Sequence, residues 1–231
     1  MMAKKKKTSS AAEGVEAVES VLSRTEQFIE KNQNIIFYVV IGIVAIILMF
    51  MGYKRYILEP KQKEAQTLMF MAEKYFEIDS LNLALYGDGN NYGFVDIIDE
   101  YGRTDAGNLS CYYAGLCFLK KGEFDNAIEY LEDFDADDMI IGAMGKGVLG
   151  DAYMEIGDAE EALKNYLYAV EHNINDFTTP VFLMKAALTY EMLEDYKSAL
   201  ELYNRIKYEH PRSYESREIE KYIARAEGLM E

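Results

Sequence analysis

Apolar and charged positions along this chain follow two unlike patterns. From Ile35 to Tyr53 nineteen residues pass without a charge, closed by Lys31 on one side and by Lys54 and Arg55 on the other. At about 1.5 Å per residue such a helix reaches roughly 28 Å, the thickness of bilayer hydrocarbon. Tyr38, Tyr53 and Tyr56 near its ends suit the headgroup level. The stretch predicts one transmembrane helix. A buried core helix usually keeps a polar stripe, and this run has none. A cleavable signal sequence is the other rival, but here a long arm precedes the run and bulky Tyr53 and Tyr56 stand where small cleavage-site residues belong. Gly42 is followed four residues on by Ile46, so no small-residue pair marks a close helix dimer. The span is expected to anchor the chain, not to form a channel or transporter.

The second pattern is helical throughout. Before the span, Val15, Val18, Leu22, Thr25 and Ile29 recur at three- and four-residue steps, with Ser10 and Glu13 as a candidate capping pair. Two readings stay open for this arm: a marginal helix on a tail, or an interfacial helix lying on anionic lipid.

After the span, three segments align on one another. The first runs through Gly115, Phe118, Gly122, Phe124, Ala127 and Leu131, and the second through Gly150, Tyr153, Gly157, Ala162 and Tyr166. The third has Ala187, Tyr190, Tyr196, Ala199 and Tyr203, and closes with Pro211. An aromatic follows the small residue by three, an alanine comes nine later, and a large side chain four after that. The repeat spacing is 35 and then 37 residues. This resembles the tetratricopeptide repeat, in which the small residue lets two helices touch and the alanine admits a neighbour. The first-helix tryptophan of that repeat is missing from all three copies, and Glu194 stands in the third where glycine usually turns. The two extra residues fall in the polar loop from Asn173 to Thr179.

The flanks complete the pattern. Lys61 to Ile78 predicts a long helix, and Tyr92 to Tyr101 its partner, with Phe94, Val95, Ile98 and Tyr101 on one side and a Gly87–Asn91 turn between the two helices. These form a degenerate first repeat. Ser213 can cap a last helix whose stripe is Ile219, Tyr222, Ile223 and Ala226, with Arg217, Lys221 and Arg225 in water. The expected fold is therefore all-α, a single N-terminal transmembrane helix followed by a solenoid with a C-terminal capping helix. The expected boundaries are an arm at 1–34, the span at 35–53, the membrane-proximal helix and degenerate repeat at 54–106, three repeats at 107–212 and the cap at 213–231.

Charge changes the picture in one respect. Flanking lysines and arginines nearly tie across the span, but acidic residues outnumber basic ones 35 to 18 after it, while the arm carries six basic against five acidic residues with Lys4 to Lys7 at its tip. Polybasic ends prefer the anionic cytoplasmic leaflet, so the amino terminus is expected inside and the acidic part outside. The same acidity argues against nucleic-acid binding.

The whole layout is similar to the YfgM-like family of bacterial inner-membrane proteins, and the Asp79 to Ala106 segment resembles its Bacteroidetes type. That resemblance implies a periplasmic accessory of the Sec translocon working beside a membrane-anchored, parvulin-like chaperone, with translocon subunits and apolar segments of exported proteins as further partners. No cofactor is expected.

Convergent chemistry is hard to find. His172 and His210 sit in separate loops without metal-ligand spacing. Cys111 and Cys117 lie about 9 Å apart along one helix, too far for a bridge, and are expected as buried filler. The cluster Asp133, Asp135, Asp137 and Asp138 fails as a calcium loop, because Asp138 replaces the required glycine and Met144 the bidentate glutamate. Asp137 and Asp138 read better as caps of a helix beginning near Met139. Gly87 to Gly89 lacks the lysine and hydroxyl of a phosphate loop. No enzyme is expected.

Two classes of function remain: a scaffold that binds protein partners, or a structural or oligomerising element whose groove is filled by its own helix. Repeat geometry places Leu109, Tyr112, Leu116, Leu119, Met144, Gly147, Asp151, Met154, Val181, Met184, Leu188 and Glu191 on the concave wall. Chaperone-tail binders of the repeat family use lysine and asparagine there, and none of these positions is either. An amphipathic helix or an unfolded apolar segment is the expected ligand, since methionines accommodate varied shapes.

Overall fold

The computed structural model describes residues 8–135, 138, 140–172 and 174–230. Lys4 to Lys7, Asp137, Met139 and Asn173 lie outside the described residues, as do the side chains of the expected arm stripe and of Ser10 and Glu13. The chain divides into two compact units, Met1–Glu59 and Pro60–Glu231.

In the first unit one helix, α1, runs uninterrupted through Thr8–Tyr53. A π-helical turn at Lys54–Leu58 follows, in which Arg55 pairs with Glu59 at 2.6 Å. Nothing in the sequence between Asn32 and Ile35 breaks the backbone, so arm and apolar run share one helix. The apolar side chains are bare: Met49 is 76% exposed and Ile46 69%. The helix Lys31–Glu77 is long and apolar enough to cross a membrane, and none of its most apolar stretch is buried. A core helix of a soluble protein would bury such a stretch.

The second unit is a stack of antiparallel helix pairs. Its elements are α2 (Glu59–Glu77), α3 (Leu81–Tyr86), α4 (Phe94–Tyr101), α5 (Asp105–Lys121), α6 (Phe124–Glu132), α7 (Ile141–Glu155), α8 (Ala159–His172), α9 (Thr179–Met192), α10 (Tyr196–Glu209) and α11 (Ile219–Leu229), with a 3₁₀ turn at Glu215–Glu218. Each of the pairs α5/α6, α7/α8 and α9/α10 packs on the next, and α11 closes on α10. Small residues permit these approaches. Ala127, Ala162 and Ala199 are fully buried, and a Cβ on Gly150 would strike the Tyr166 ring just as one on Gly115 would strike Leu131.

Turns inside the three repeats need a left-handed residue. Gly122 and Gly157 supply it at φ +76° and +84°, and Glu194 is forced to φ +61° at the corresponding position. Caps follow the sequence: Thr104 Oγ1 accepts the Gly107 N–H at 3.0 Å and Asp195 accepts from Ser198 at 3.1 Å. Asp138 accepts the N–H groups of Ile140 and Ile141, both at 2.8 Å, and the carboxyl is held below its usual range by these bonds. Ser213 accepts from Ser216 at 3.1 Å and so caps the 3₁₀ turn, with α11 starting only at Ile219.

The segment expected as a degenerate first repeat is more broken than its pattern suggested, since the short α3 intervenes. Tyr75 donates to Asp88 at 2.8 Å, and Asp88 also takes the N–H groups of Asn90 and Asn91 to close the Gly87–Asn91 turn. Helix α2 lies along α5 in the same sense: Gln62 accepts from Ala106 N–H at 3.4 Å, Phe76 meets Tyr113 at 5.3 Å, and Asp79 pairs with Lys120 at 2.7 Å. Two apolar cores result. One gathers Ala65, Leu85, Phe94, Ile97 and Phe118, the other Leu183, Tyr203, Ile206 and Ile223, and α7 contributes to both.

Candidate partner-binding face

Steps of three, four and three residues put the expected wall positions on one side of each first helix: Leu109, Tyr112, Leu116 and Leu119 on α5, Met144, Asp151 and Met154 on α7, Val181, Met184, Leu188 and Glu191 on α9. All eleven are half-buried, neither sealed in the core nor bare. Leu109, Tyr112, Leu116 and Leu119 rest on the first core, and Met144, Met154 and Met184 on the second. Gly147, the remaining wall position, is buried, and a Cβ there would collide with the Phe182 ring. It is a seat for the next repeat, not open wall.

The two acids are not free either. Asp151 receives Lys185 Nζ on both oxygens, at 2.6 and 2.7 Å, and the Tyr166 hydroxyl at 2.7 Å. Glu191 receives Arg225 Nη2 at 2.6 Å and the Tyr203 hydroxyl at 3.1 Å. Burial, then the neighbouring carboxylate, pushes both tyrosines well above the ordinary phenol range. Arg225, expected in water, is thus an inter-repeat partner whose side chain is 44% exposed.

Lys185 is the residue the repeat pattern missed. Its ammonium also lies over the Tyr166 and Phe182 rings at 5.7 and 5.8 Å, so it bridges α7 to α9. The signal available was an acid and a base 34 residues apart, a separation that Glu191 and Arg225 repeat. With both acids paired, the other wall positions are apolar. Between the first two repeats the wall opens into a cleft of about 480 Å³ that brings Leu119, Phe124, Met154 and Tyr166 together with the charged Lys120, Asp151 and Glu155.

Other candidate groups are structural. Cys111 and Cys117 are buried, and burial pushes their thiols up to about 11 and about 12. His210 is buried, with Nδ1 at 3.0 Å from Asp176. Among the described residues no three metal-ligating side chains gather.

Comparison with known proteins bears on the repeat fold. Residues 148–214 and 112–136 each match a Tetratricopeptide repeat family profile. No curated protein matches the chain. Among solved structures, the Podosopora anserina putative kinesin light chain nearly identical TPR-like repeats are similar, at 14% identity and TM-score 0.56 over 73% of this chain and 88% of that one. A variant of the same repeats is similar to the same degree, over 73% and 87%. A MamA protein structure is similar at 17% identity and TM-score 0.47, over 71% and 91%. The all-helical fold is that of a tetratricopeptide-like solenoid.

Proposed function

We propose that this chain is a membrane-anchored scaffold whose repeat wall binds an amphipathic helix or an unfolded apolar segment of a protein partner. Tetratricopeptide repeats indicate a protein-interaction scaffold. The observation that carries the reading is the half-buried, largely apolar, methionine-containing side shared by α5, α7 and α9, on which Asp151 and Glu191 are already paired. Methionine adapts to ligands of different shape, and an amphipathic helix lays its apolar side into such a surface.

The finer reading follows the resemblance. The span Ile35–Tyr53 holds the chain in a bacterial inner membrane with its amino terminus in the cytoplasm and the solenoid in the periplasm, beside the Sec translocon and a parvulin-like chaperone. The acidity of the part after the span and the lysine tip support that orientation.

Exchanging Leu116→Glu and Met184→Glu together tests the wall. Both side chains are half-buried on different repeats, and a charge forced into a closed apolar interface costs several kcal/mol. Co-purification of translocon subunits or chaperone is expected to collapse while the helical circular-dichroism spectrum stays normal. Unchanged co-purification sinks the wall as the binding surface. An unfolded double variant favours the second class, in which the chain's own packing uses that surface.

A further inference from the structure

We propose that the cleft between the first two repeats selects, among apolar segments that the wall binds, those carrying an arginine or lysine beside their apolar residues, and that Glu155 receives that cation. The proposal rests on the wall reading above.

Four side chains give the cleft its apolar lining: Leu119 of α5, Phe124 at the start of α6, Met154 of α7 and the Tyr166 ring of α8. Three charged residues share it, and two of them are already engaged. Lys120 pairs with Asp79 at 2.7 Å and lies over the Phe76 ring at 5.1 Å. Asp151 holds Lys185 and the Tyr166 hydroxyl. Glu155 takes no side-chain hydrogen bond and no ion pair among the described residues. Its charge is nonetheless felt inside the cleft: burial first, then Asp151, then Glu155 hold the Tyr166 phenol above its ordinary range.

Glu155 also stands where its own helix disfavours an acid. It is the last residue of α7, and the free carbonyls of a helix C-terminus carry partial negative charge, so a base suits that position better. Gly122, the cap of α5, lines the same cleft and brings a second C-terminus to it. Lys121, beside Gly122 in the chain, does not offset this, because it is bonded to Glu123 at 2.8 Å. Exposed Asp158, three residues after Glu155, adds a further carboxylate.

The unmet charge of the cleft is thus negative and lies beside an apolar hollow. An arginine or lysine meets both features at once, its aliphatic stem on Leu119, Phe124 and Met154 and its head at the carboxylate. An acidic segment would instead bring like charge against Glu155 as both lose water, which excludes it from the same surface.

The test uses the full chain in phosphatidylcholine nanodiscs and two fluorescent, leucine-rich helical peptides, identical except that one carries arginine and the other glutamate at its polar positions. Binding is read by fluorescence anisotropy, with the signal of empty discs subtracted. The arginine peptide is expected to bind several-fold more tightly at low salt, with the margin shrinking as salt rises. Glu155→Lys is expected to reverse the preference and Glu155→Gln to remove it, whereas partition of peptide into lipid does not depend on residue 155. A lysine on the last turn suits α7, so the fold is expected to survive, read by circular dichroism. A preference that neither substitution changes, or tighter binding of the glutamate peptide, overturns the proposal. If Leu116→Glu with Met184→Glu still abolishes binding in that case, the wall reading stands without it. Binding of neither peptide overturns the wall reading, and this proposal with it.

Discussion

Glu194 is the clearest strained residue. A side chain at φ +61° costs about 1–2 kcal/mol relative to a right-handed conformation, and glycine occupies the two corresponding turns. Glu194→Gly gives some of this back as unfolded-chain entropy, so a net stabilisation of about 0.5–1 kcal/mol is expected in denaturant melts of the detergent-solubilised chain. The thiols give a pH dependence. Their folded values lie near 11 and 12, above the ordinary range, so the thiol form persists in the fold while the unfolded chain ionises. That contribution is fully present below about pH 8.5 and is lost as pH rises through about 11 and about 12. Ellman's reagent at pH 8 is expected to react with Cys111 and Cys117 only as fast as the chain unfolds.

At the scale of helices, the repeat alanines set the approach of neighbours. Ala162 is fully buried among α7, α8 and the Tyr166 contact, so Ala162→Leu is expected to lower stability by about 1–3 kcal/mol, read as a lower melting temperature. A neutral result would place the repeat register wrongly. The register was legible because Ala127, Ala162 and Ala199 hold one type at one offset while Gly115, Gly150 and Ala187 stay small, which is a local signal repeated three times. Helix α3 was not legible: six residues between Ser80 and Gly87 are too few to show a period. The wall side of α5, α7 and α9 could be placed from spacing, but the occupancy of its members could not. Gly147 is filled by Phe182 and Asp151 is paired by Lys185, both from the following repeat, and contacts 34 or 35 residues away leave no mark in local periodicity.

For the whole molecule, orientation is the physical question that charge poses most directly. With the solenoid outside, Ser9→Cys in intact spheroplasts is expected to resist an impermeant thiol reagent while Ser213→Cys, at the half-buried start of the closing turn, is labelled. The reverse pattern would put the acidic unit in the cytoplasm and remove the support for a periplasmic role. The inter-repeat charge pairs carry a different consequence. In a stack where each repeat touches only its neighbours, stability is shared out interface by interface. Lys185 clips the α7/α8 repeat to α9/α10, and Arg225 clips that repeat to its cap, whereas the α5/α6 boundary with α7 shows a hydroxyl bond, Tyr153 to Glu132 at 2.7 Å, beside the cleft. The two cores also change over on α7. The stack is therefore tied across that boundary by packing instead of charge: Val148, Leu149 and Ala152 of α7 lie in the first core and Ala143 in the second, so one helix makes each core answer to the other.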